Sequence, residues 1–324
     1  MTAAHRRTSP PRAGGPPIGA MLDGLDTEGR DGSRADLDIR DTLGLVLAMN
    51  DEDASVAAAV RRAAPEIARL ADAVAAGLAG TGRLIYAGAG TAGRVGQQDA
   101  AELPPTFGID AHRAMAVIAG GAAAASEARE DVEDDVSAGA AIASDLDIGP
   151  TDVLIGIAAS GRTPYTIAAV RAAHARGATT GAVVCNRGSQ LAAAADIAVE
   201  VVVGPEFVSG STRLKAGTAQ KLVLNTISTV AMIKAGKTYG DLMVDVRPTN
   251  EKLRVRARRI VAQAAGTDDA AANLALTAAD GNIRAAVIHL VAGLPVEQAA
   301  LVSARFASLR EALAAAEGAP DAPV

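Results

Sequence analysis

Apolar residues cluster into five short runs in the middle of the chain, and helical patterns separate most of them. The runs cover residues 84–87, 114–119, 153–158, 180–185 and 197–203. Apolar positions recur at helical spacing over residues 127–145 and 164–176. Short runs that alternate with helices predict an α/β fold. We expect a doubly wound, mainly parallel five-stranded sheet with helices on both faces.

Helical patterns also flank this central region. On the N-terminal side, Asp41 is placed to cap a helix through Leu47, and further helices are predicted at residues 53–63 and 65–78. A long buried helix is predicted at residues 218–235. Four helices, at residues 255–265, 267–279, 283–290 and 296–316, form a small helical domain. We therefore predict a disordered tail at residues 1–20, a main domain at 21–254 and a helical domain at 255–324.

Composition narrows the classes of function. Of the 324 residues, 49% are hydrophobic and only 2% are aromatic, so the core is aliphatic. The net charge of −6 argues against nucleic-acid binding. A single cysteine excludes an intrachain disulfide, and four unpaired histidines disfavour a metal site. No apolar run reaches the length of a membrane span and no secretory signal is recognisable, so we expect a soluble cytoplasmic protein.

A glycine-rich turn follows the first apolar run. Gly88, Gly90 and Gly93 let the backbone turn sharply and approach a ligand closely. The helix that follows begins with free N–H groups, and Thr91 and Arg94 add donors, so the turn suits an anion. The spacing also fits a dinucleotide fingerprint, and a purely structural turn remains open at this point.

A carboxylate at Glu102 stands just before Pro104-Pro105, where we expect the helix to stop. It is either a solvated charge at a helix end or a catalytic group held by a rigid turn. An acidic run at residues 127–135 is expected to be a solvated helix face. One carboxylate of that run could join Glu102 as an acid–base pair.

A second turn, after the run at 153–158, carries two hydroxyls. Ser160 and Thr163 flank Gly161, and Pro164 suits the first turn of a helix. Two such turns on one sheet can hold a phosphate and its attached sugar. The alternative is that Ser160 only caps the helix.

A third polar stretch precedes the long buried helix. Hydroxyl residues and cations are dense at residues 209–221, and Ser211, Thr212 and Lys215 belong to this stretch. It could bind anionic or hydroxylated groups of a ligand. The alternative is an ordinary capped helix start.

The segments at residues 84–108, 158–165 and 210–225 resemble those of the N-acetylmuramic acid 6-phosphate etherase family. The segments at 25–30, 50–53 and 242–253 are similar too, so the resemblance covers essentially the whole chain after the first twenty residues. It implies a sugar isomerase (SIS) fold, an α-β-α sandwich, with a ubiquitin-associated-like helical domain. It also implies a homodimer that acts on a phosphorylated amino sugar, and we expect its active site near or across the subunit interface.

The resemblance further implies roles for particular residues. The reaction removes D-lactate from the sugar, with Glu102 as general acid and Glu133 as base, and it needs no metal or redox cofactor. The residues implied to bind the substrate and its phosphate are Gly90, Thr91, Ser160, Gly161, Thr163, Ser211, Thr212 and Lys215.

The chain departs from the family pattern at three positions near the first turn. Ala92 and Ala101 stand where similar proteins have serine, and Leu103 stands where they have cysteine. A charge-assisted hydrogen bond is worth roughly 1.5–3 kcal/mol. Loss of a hydroxyl at residue 92 would therefore weaken phosphate binding about 10- to 100-fold, unless Thr91 or water substitutes.

A distance also constrains the site. Glu102 lies eleven residues beyond Thr91, which is about 16 Å along an unbroken helix. Either Gly96 breaks the helix or Glu102 serves the site of a partner subunit, and we favour the partner.

Three other functions compete with the etherase. One is a non-catalytic sugar-phosphate sensor on the same fold, of the kind that resembles the glucokinase regulator. Such a sensor would need neither Glu102 nor Glu133. An aldose–ketose isomerase would move a proton between C1 and C2 and release no lactate. A dinucleotide oxidoreductase is disfavoured, because the acidic residue that binds the ribose is not at the end of a second strand.

Overall fold

The computed structural model describes residues 24–127, 129, 131–248 and 250–317. The tail at residues 1–20 that we expected to be disordered lies outside the described residues, as does Glu130 of the acidic run. The five predicted strands all form. They are β1 Leu84–Gly88, β2 Ala114–Ile118, β3 Val153–Ala158, β4 Thr179–Val184 and β5 Ile197–Glu200.

The strands make one sheet in the order β2-β1-β3-β4-β5, with every pair parallel. The predicted doubly wound α/β fold is therefore confirmed. Successive residues of β1 face opposite layers: Leu84 and Tyr86 pack into one core, and Ile85 and Ala87 pack into the other. The carboxyl ends of all five strands meet at one edge, where open sheets of this kind bind ligands.

Helices cover both faces of the sheet and then form a separate C-terminal unit. Those of the main unit are α1 Thr42–Arg62, α2 Ala64–Ala79, α3 Gly90–Phe107, α4 Ala123–Ser126, α5 Val136–Asp145, α6 Pro164–Ala175, α7 Gln190–Ala194 and α8 Lys215–Lys234. A two-residue antiparallel pair follows, β6 Thr238–Tyr239 with β7 Leu242–Met243. The C-terminal helices are α9 Glu251–Ala265, α10 Asp269–Ala278, α11 Ile283–Ala292, α12 Val296–Arg305 and α13 Leu309–Glu317.

The first two predicted helices are in fact one, α1. Asp41 caps it as predicted, accepting a 2.7 Å hydrogen bond from the amide of Gly44. The sequence left residues 48–52 unassigned between the two predicted helices, but the helix continues through them, and its first buried side chain is Val56. The side chains of residues 42–55 are exposed or partly exposed, so polar residues there do not interrupt the helix.

The expectation that Pro104-Pro105 stop helix α3 was wrong. The helix continues to Phe107 and ends at Gly108, whose φ of +67° suits glycine and whose amide bonds back to the carbonyl of Pro104. Leu103 and Phe107 are both buried. Their packing holds the last turn despite the hydrogen bonds that the prolines remove.

The expected helix over residues 127–145 was also wrong in its first half. Within this range only α5 is helical, and the described acidic residues between α4 and α5 lie in turns and irregular backbone. Asp135 caps α5, accepting a 2.9 Å hydrogen bond from the amide of Ala138. Short acidic side chains favour caps and turns over helix interiors, which explains the outcome.

Residues 24–40 form an N-terminal strap that runs beside the main unit before α1. It contains three short 3-10 turns, Asp26–Glu28, Gly32–Arg34 and Leu37–Ile39. Leu25 and Thr27 are buried, so the strap is anchored at its N-terminal end.

The C-terminal helices surround a core of their own. That core also includes Val244 and Val246, which precede the expected start of the helical domain at residue 255. The single helix predicted at 296–316 is wrong, because α12 and α13 are separate. Ser308 and Glu311 form a reciprocal capping box that starts α13, with hydrogen bonds of 3.1 and 3.2 Å.

No single helix in the described ranges is long and apolar enough to cross a membrane. Among the described residues, one bent pair of helices, α10 and α11, is long and apolar enough when taken together, by length and composition alone.

Candidate functional site

The first and third polar stretches meet at the carboxyl edge of the sheet. Helix α3 begins at Gly90, whose φ is +52°, directly after β1. A β-carbon at Gly217, in the first turn of α8, would lie 3.4 Å from Cγ2 of Thr91 and 3.5 Å from the carbonyl oxygen of Thr212. The amide of Gly217 also donates a 2.9 Å hydrogen bond to that carbonyl. Thr91 and Thr212 therefore both lie next to Gly217.

The second turn ends β3 and is tightly packed. The hydroxyl oxygen of Ser160 accepts a 3.2 Å hydrogen bond from the amide of Arg162. Gly161 has a φ of +66°, and a β-carbon there would lie 2.2 Å from Oγ of Ser189. Thr163 precedes α6, but its side chain makes no capping hydrogen bond within the described chain. The hydroxyl of Thr163 can therefore serve a ligand.

Cys185 connects the second turn to the start of α8. Its amide donates a 2.9 Å hydrogen bond to the carbonyl of Ala159, and its Sγ lies 3.9 Å from the carbonyl oxygen of Ala216. Burial, with a smaller effect of the Glu206 charge, raises the pKa of the thiol to about 12. Cys185 is therefore a packing residue that stays protonated, and not a nucleophile.

Glu206 satisfies the N-terminus of α8. This carboxylate is 2% exposed, and its two oxygens accept 2.9 Å hydrogen bonds from the amides of Lys215 and Ala216. Those are two of the amides that a helix leaves unpaired at its N-terminus, where an anion is stabilised. The anion position of α8 is thus filled by the protein itself. Sequence reasoning did not single out Glu206; its only signal was its place just before the hydroxyl-rich stretch.

Lys215, predicted to bind substrate, is directed to another carboxylate. Its side chain is buried and its Nζ lies 2.6 Å from Oε2 of Glu52, which also pairs with Arg34. Burial tends to raise the pKa of Glu52, but the hydrogen bonds and charges of Lys215 and Arg34 outweigh it and lower that pKa. Lys215 therefore joins α8 to α1 in this chain.

Arg94, considered as a donor to the anion, holds the segment after β2. Its Nε donates a 3.1 Å hydrogen bond to the carbonyl of Ala125, and its terminal nitrogen donates a 2.8 Å bond to the carbonyl of Glu127. These bonds fix the chain that leads towards Glu133.

Glu133 lies in the exposed turns between α4 and α5. Its backbone carbonyl accepts a 3.0 Å hydrogen bond from the amide of Tyr165, in the first turn of α6. Since α6 starts directly after Thr163, this contact brings Glu133 beside the second turn. Of the two predicted catalytic residues, Glu133 thus has its backbone next to the second turn.

Glu102 lies far from the first turn. Helix α3 is unbroken from Gly90 to Phe107, so Glu102 remains about 16 Å along the helix from Thr91. Gly96 does not break the helix; a β-carbon there would lie 3.0 Å from Cβ of Tyr86 and Cδ1 of Ile157. Gly96 therefore lets α3 pack closely on the sheet, and Glu102 lies exposed near the far end of the helix.

Asp99 fixes the rotation of α3. This buried carboxylate accepts hydrogen bonds from the hydroxyl of Tyr86 at 2.8 Å, the side-chain amide of Asn225 at 2.6 Å and the hydroxyl of Ser228 at 3.1 Å. Burial and the charge of Asp99 raise the pKa of Tyr86 well above its usual value. The network was not predicted; an aspartate inside a helical pattern was its only sequence signal.

Within the described part of the chain, no group of three or more histidine, cysteine, aspartate or glutamate residues is placed to hold a metal ion. The predicted site is thus built from hydroxyls, main-chain amides and carboxylates.

Comparison with known proteins assigns the chain to a family. Residues 66–174 match the glucokinase regulatory protein N-terminal SIS domain, and residues 133–230 match the SIS domain. The chain is 51% identical to the N-acetylmuramic acid 6-phosphate etherase of Streptomyces avermitilis, over 92% of this chain and 96% of that protein. It is 50% identical to the enzyme of the same name from Streptomyces coelicolor, over 94% and 98%.

Among solved structures, the phosphoheptose isomerase of Francisella tularensis is similar at 19% identity and a TM-score of 0.46, covering 60% of this chain and all of that one. The relationship to the two Streptomyces proteins is far stronger. On that relationship, the chain belongs to the N-acetylmuramic acid 6-phosphate etherase family.

Proposed function

We propose that this protein cleaves the D-lactyl ether of N-acetylmuramic acid 6-phosphate, giving N-acetylglucosamine 6-phosphate and D-lactate, in the recycling of cell-wall amino sugars. The observation that carries the proposal is the 51% identity, over 92% of the chain, to a protein named for this substrate. The predicted phosphate-binding turns and Glu133, which lie at one edge of the sheet, support it.

The phosphate end of the substrate fits the first turns of α3 and α6. Both helices start at this edge, and each leaves main-chain amides unpaired there. Thr91 and Thr163 add hydroxyls beside them. The third helix start, of α8, already holds Glu206, so a second anion there would meet a like charge.

The chemistry requires an acid and a base. In the open-chain sugar, the hydrogen on C2 is acidified by the neighbouring aldehyde. Glu133 takes that proton while Glu102 protonates the lactate oxygen as the C3–O bond breaks, which leaves a C2–C3 double bond. Water then adds its oxygen to C3, and a proton returns to C2.

The position of Glu102 leads to a homodimer. With α3 unbroken, Glu102 cannot reach a sugar whose phosphate is held near Thr91 in the same chain. The N-terminal half of α1 exposes Leu43, Val46 and Leu47 at helical spacing, which suits a second copy. A twofold dimer would let Glu102 of one subunit complete the site of the other.

The direct experiment is to incubate the purified protein with N-acetylmuramic acid 6-phosphate and measure D-lactate. Wild type is expected to release it, and the variants Glu102→Gln and Glu133→Gln are expected to lose that activity while still binding the sugar. Binding without lactate in wild type would indicate a sensor. Formation of a ketose without lactate would indicate an isomerase.

A further inference from the structure

The N-terminal strap is anchored at the edge of the sheet that carries the candidate site. Thr27 is fully buried, and its amide and hydroxyl both contact Asn186, at 3.4 and 3.1 Å. The side-chain amide of Asn186 donates a further 2.9 Å hydrogen bond to the carbonyl of Ala159. Because Ala159 directly precedes Ser160, the strap is tied to the second turn of the candidate site.

The residue after Thr27 is a glutamate that contacts the third polar stretch. The carbonyl of Glu28 lies 3.5 Å from the hydroxyl of Ser209. A β-carbon at Gly210 would lie only 3.1 Å from Oε2 of Glu28. The carboxylate of Glu28 therefore lies against Gly210, next to Ser211 and Thr212.

This carboxylate differs from its neighbours because it has no partner among the described residues. Glu52 pairs with Lys215, Glu206 accepts two amides of α8, and Glu200 accepts the amide of Gly188. Glu28 is half-buried, yet its carboxylate makes no hydrogen bond or ion pair with any described residue. A half-buried carboxylate held in place and left unpaired can accept hydrogen bonds from a ligand.

We propose that Glu28 contacts the substrate, accepting hydrogen bonds from hydroxyl or N–H donors of the amino sugar. The inference rests on the proposed function and adds a specificity residue to it. A carboxylate repels the phosphate and the lactyl carboxylate, both anionic, so it faces the uncharged donors of the sugar between them. Thr27 and Asn186 act as positioning residues, because they fix the backbone that carries Glu28.

The test compares Glu28→Ala and the isosteric Glu28→Gln with Asp26→Asn, an exposed carboxylate in the same 3-10 turn. A lost charge-assisted hydrogen bond corresponds to about a 10- to 100-fold change. We expect Glu28→Ala to lower kcat/KM by that factor, mainly through KM. Glu28→Gln loses less because its amide oxygen still accepts, and Asp26→Asn stays at the wild-type value.

Inorganic phosphate separates substrate contact from a structural role. Its inhibition constant is expected to be unchanged or tighter in Glu28→Ala, since no sugar contact is involved. Equal weakening of phosphate and sugar would overturn the proposal, and so would a Glu28→Ala enzyme indistinguishable from wild type. If wild type released no lactate, the proposed function would fail instead. Calorimetry would then still decide the role of Glu28. Glu28→Ala should bind N-acetylglucosamine 6-phosphate more weakly than wild type and should bind inorganic phosphate at least as tightly.

Discussion

The backbone carbonyl of Glu133 accepts a 3.0 Å hydrogen bond from the backbone amide of Tyr165. This bond joins the irregular acidic segment to the first turn of α6, and so to the turn at Ser160 and Thr163. Arg94 holds the other end of the same segment through the carbonyls of Ala125 and Glu127. The backbone of the proposed base is therefore positioned by hydrogen bonds to main-chain carbonyls at both ends of an otherwise exposed segment.

Replacing Arg94 by methionine should lower kcat markedly and the free energy of unfolding only slightly. Methionine keeps most of the aliphatic stem but donates nothing, so the segment carrying Glu133 loosens. A misplacement of about 1 Å can cost on the order of 100-fold in rate. We expect kcat for lactate release to fall about 10- to 100-fold, with little change in the inhibition constant of inorganic phosphate.

Arg113→Met is the matched control for that variant. Arg113 also donates to main-chain carbonyls, those of Leu78, Gly80 and Gly82, each at 2.8 Å, but it lies before β2 at the opposite edge of the sheet. The Arg113→Met variant should have a lower free energy of unfolding and a kcat near the wild-type value. Equal loss of kcat in the two variants would refute the positioning role of Arg94.

Gly161→Ala should damage phosphate binding, whereas Gly188→Ala should not. Both glycines have positive φ, +66° and +59°, so each alanine costs about 1–2 kcal/mol of backbone strain. Only at Gly161 would the added carbon meet another group, Oγ of Ser189 at 2.2 Å; at Gly188 nothing lies within 4 Å. We expect urea unfolding to show destabilisation in both variants. The affinity for inorganic phosphate should fall about tenfold in Gly161→Ala alone. Similar affinities in the two variants would disprove a phosphate site at this turn.

The sheet could be predicted from sequence because each strand is a short apolar run that ends in a polar or glycine-containing turn. The predicted helix boundaries were wrong where packing or capping overrides the local sequence pattern. Pro104 and Pro105 fit inside α3 because Leu103 and Phe107 bury its last turn. The capping box of Ser308 and Glu311 was present in the sequence, but a continuous apolar pattern concealed it.

The polar turns of the candidate site could be recognised in the sequence, but the partners of its charged residues could not. Thr91 and Thr212 both lie close to Gly217, and a parallel sheet gathers the turns at its carboxyl ends at one edge. The pairing of Lys215 with Glu52 could not be foreseen, because it depends on how α1 crosses the start of α8. The same applies to Glu206, whose partners are main-chain amides that carry no residue signature.

Stability at acidic pH should depend on Asp152. Burial tends to raise the pKa of Asp152, but hydrogen bonds from Arg83 and the amide of Gly149 outweigh it and lower that pKa below its ordinary value. Its contribution to stability is therefore present above the unfolded value and is lost as the pH falls through the lowered folded value. In urea unfolding between about pH 6 and pH 3, Asp152→Asn should be less stable at pH 6 and lose less stability on acidification. Parallel curves for the two proteins would contradict this.

Mixing two inactive variants should restore activity if Glu102 acts across the dimer. Glu102→Gln and Ser160→Ala chains, unfolded together and refolded, form mixed dimers in which one of the two sites is intact. With equal amounts and random pairing, about a quarter of wild-type activity is expected. Each variant refolded alone serves as the control. Activity no higher than the average of those controls would show that Glu102 acts within its own chain or not at all.

The central claim is that the C3–O bond of the ether breaks and that the oxygen of water replaces the lost oxygen at C3. The most direct measurement is lactate release in ¹⁸O-labelled water, followed by mass spectrometry of both products. The account predicts one ¹⁸O in N-acetylglucosamine 6-phosphate and none in lactate. Label in the lactate, or no lactate at all from the pure wild-type protein, would contradict it.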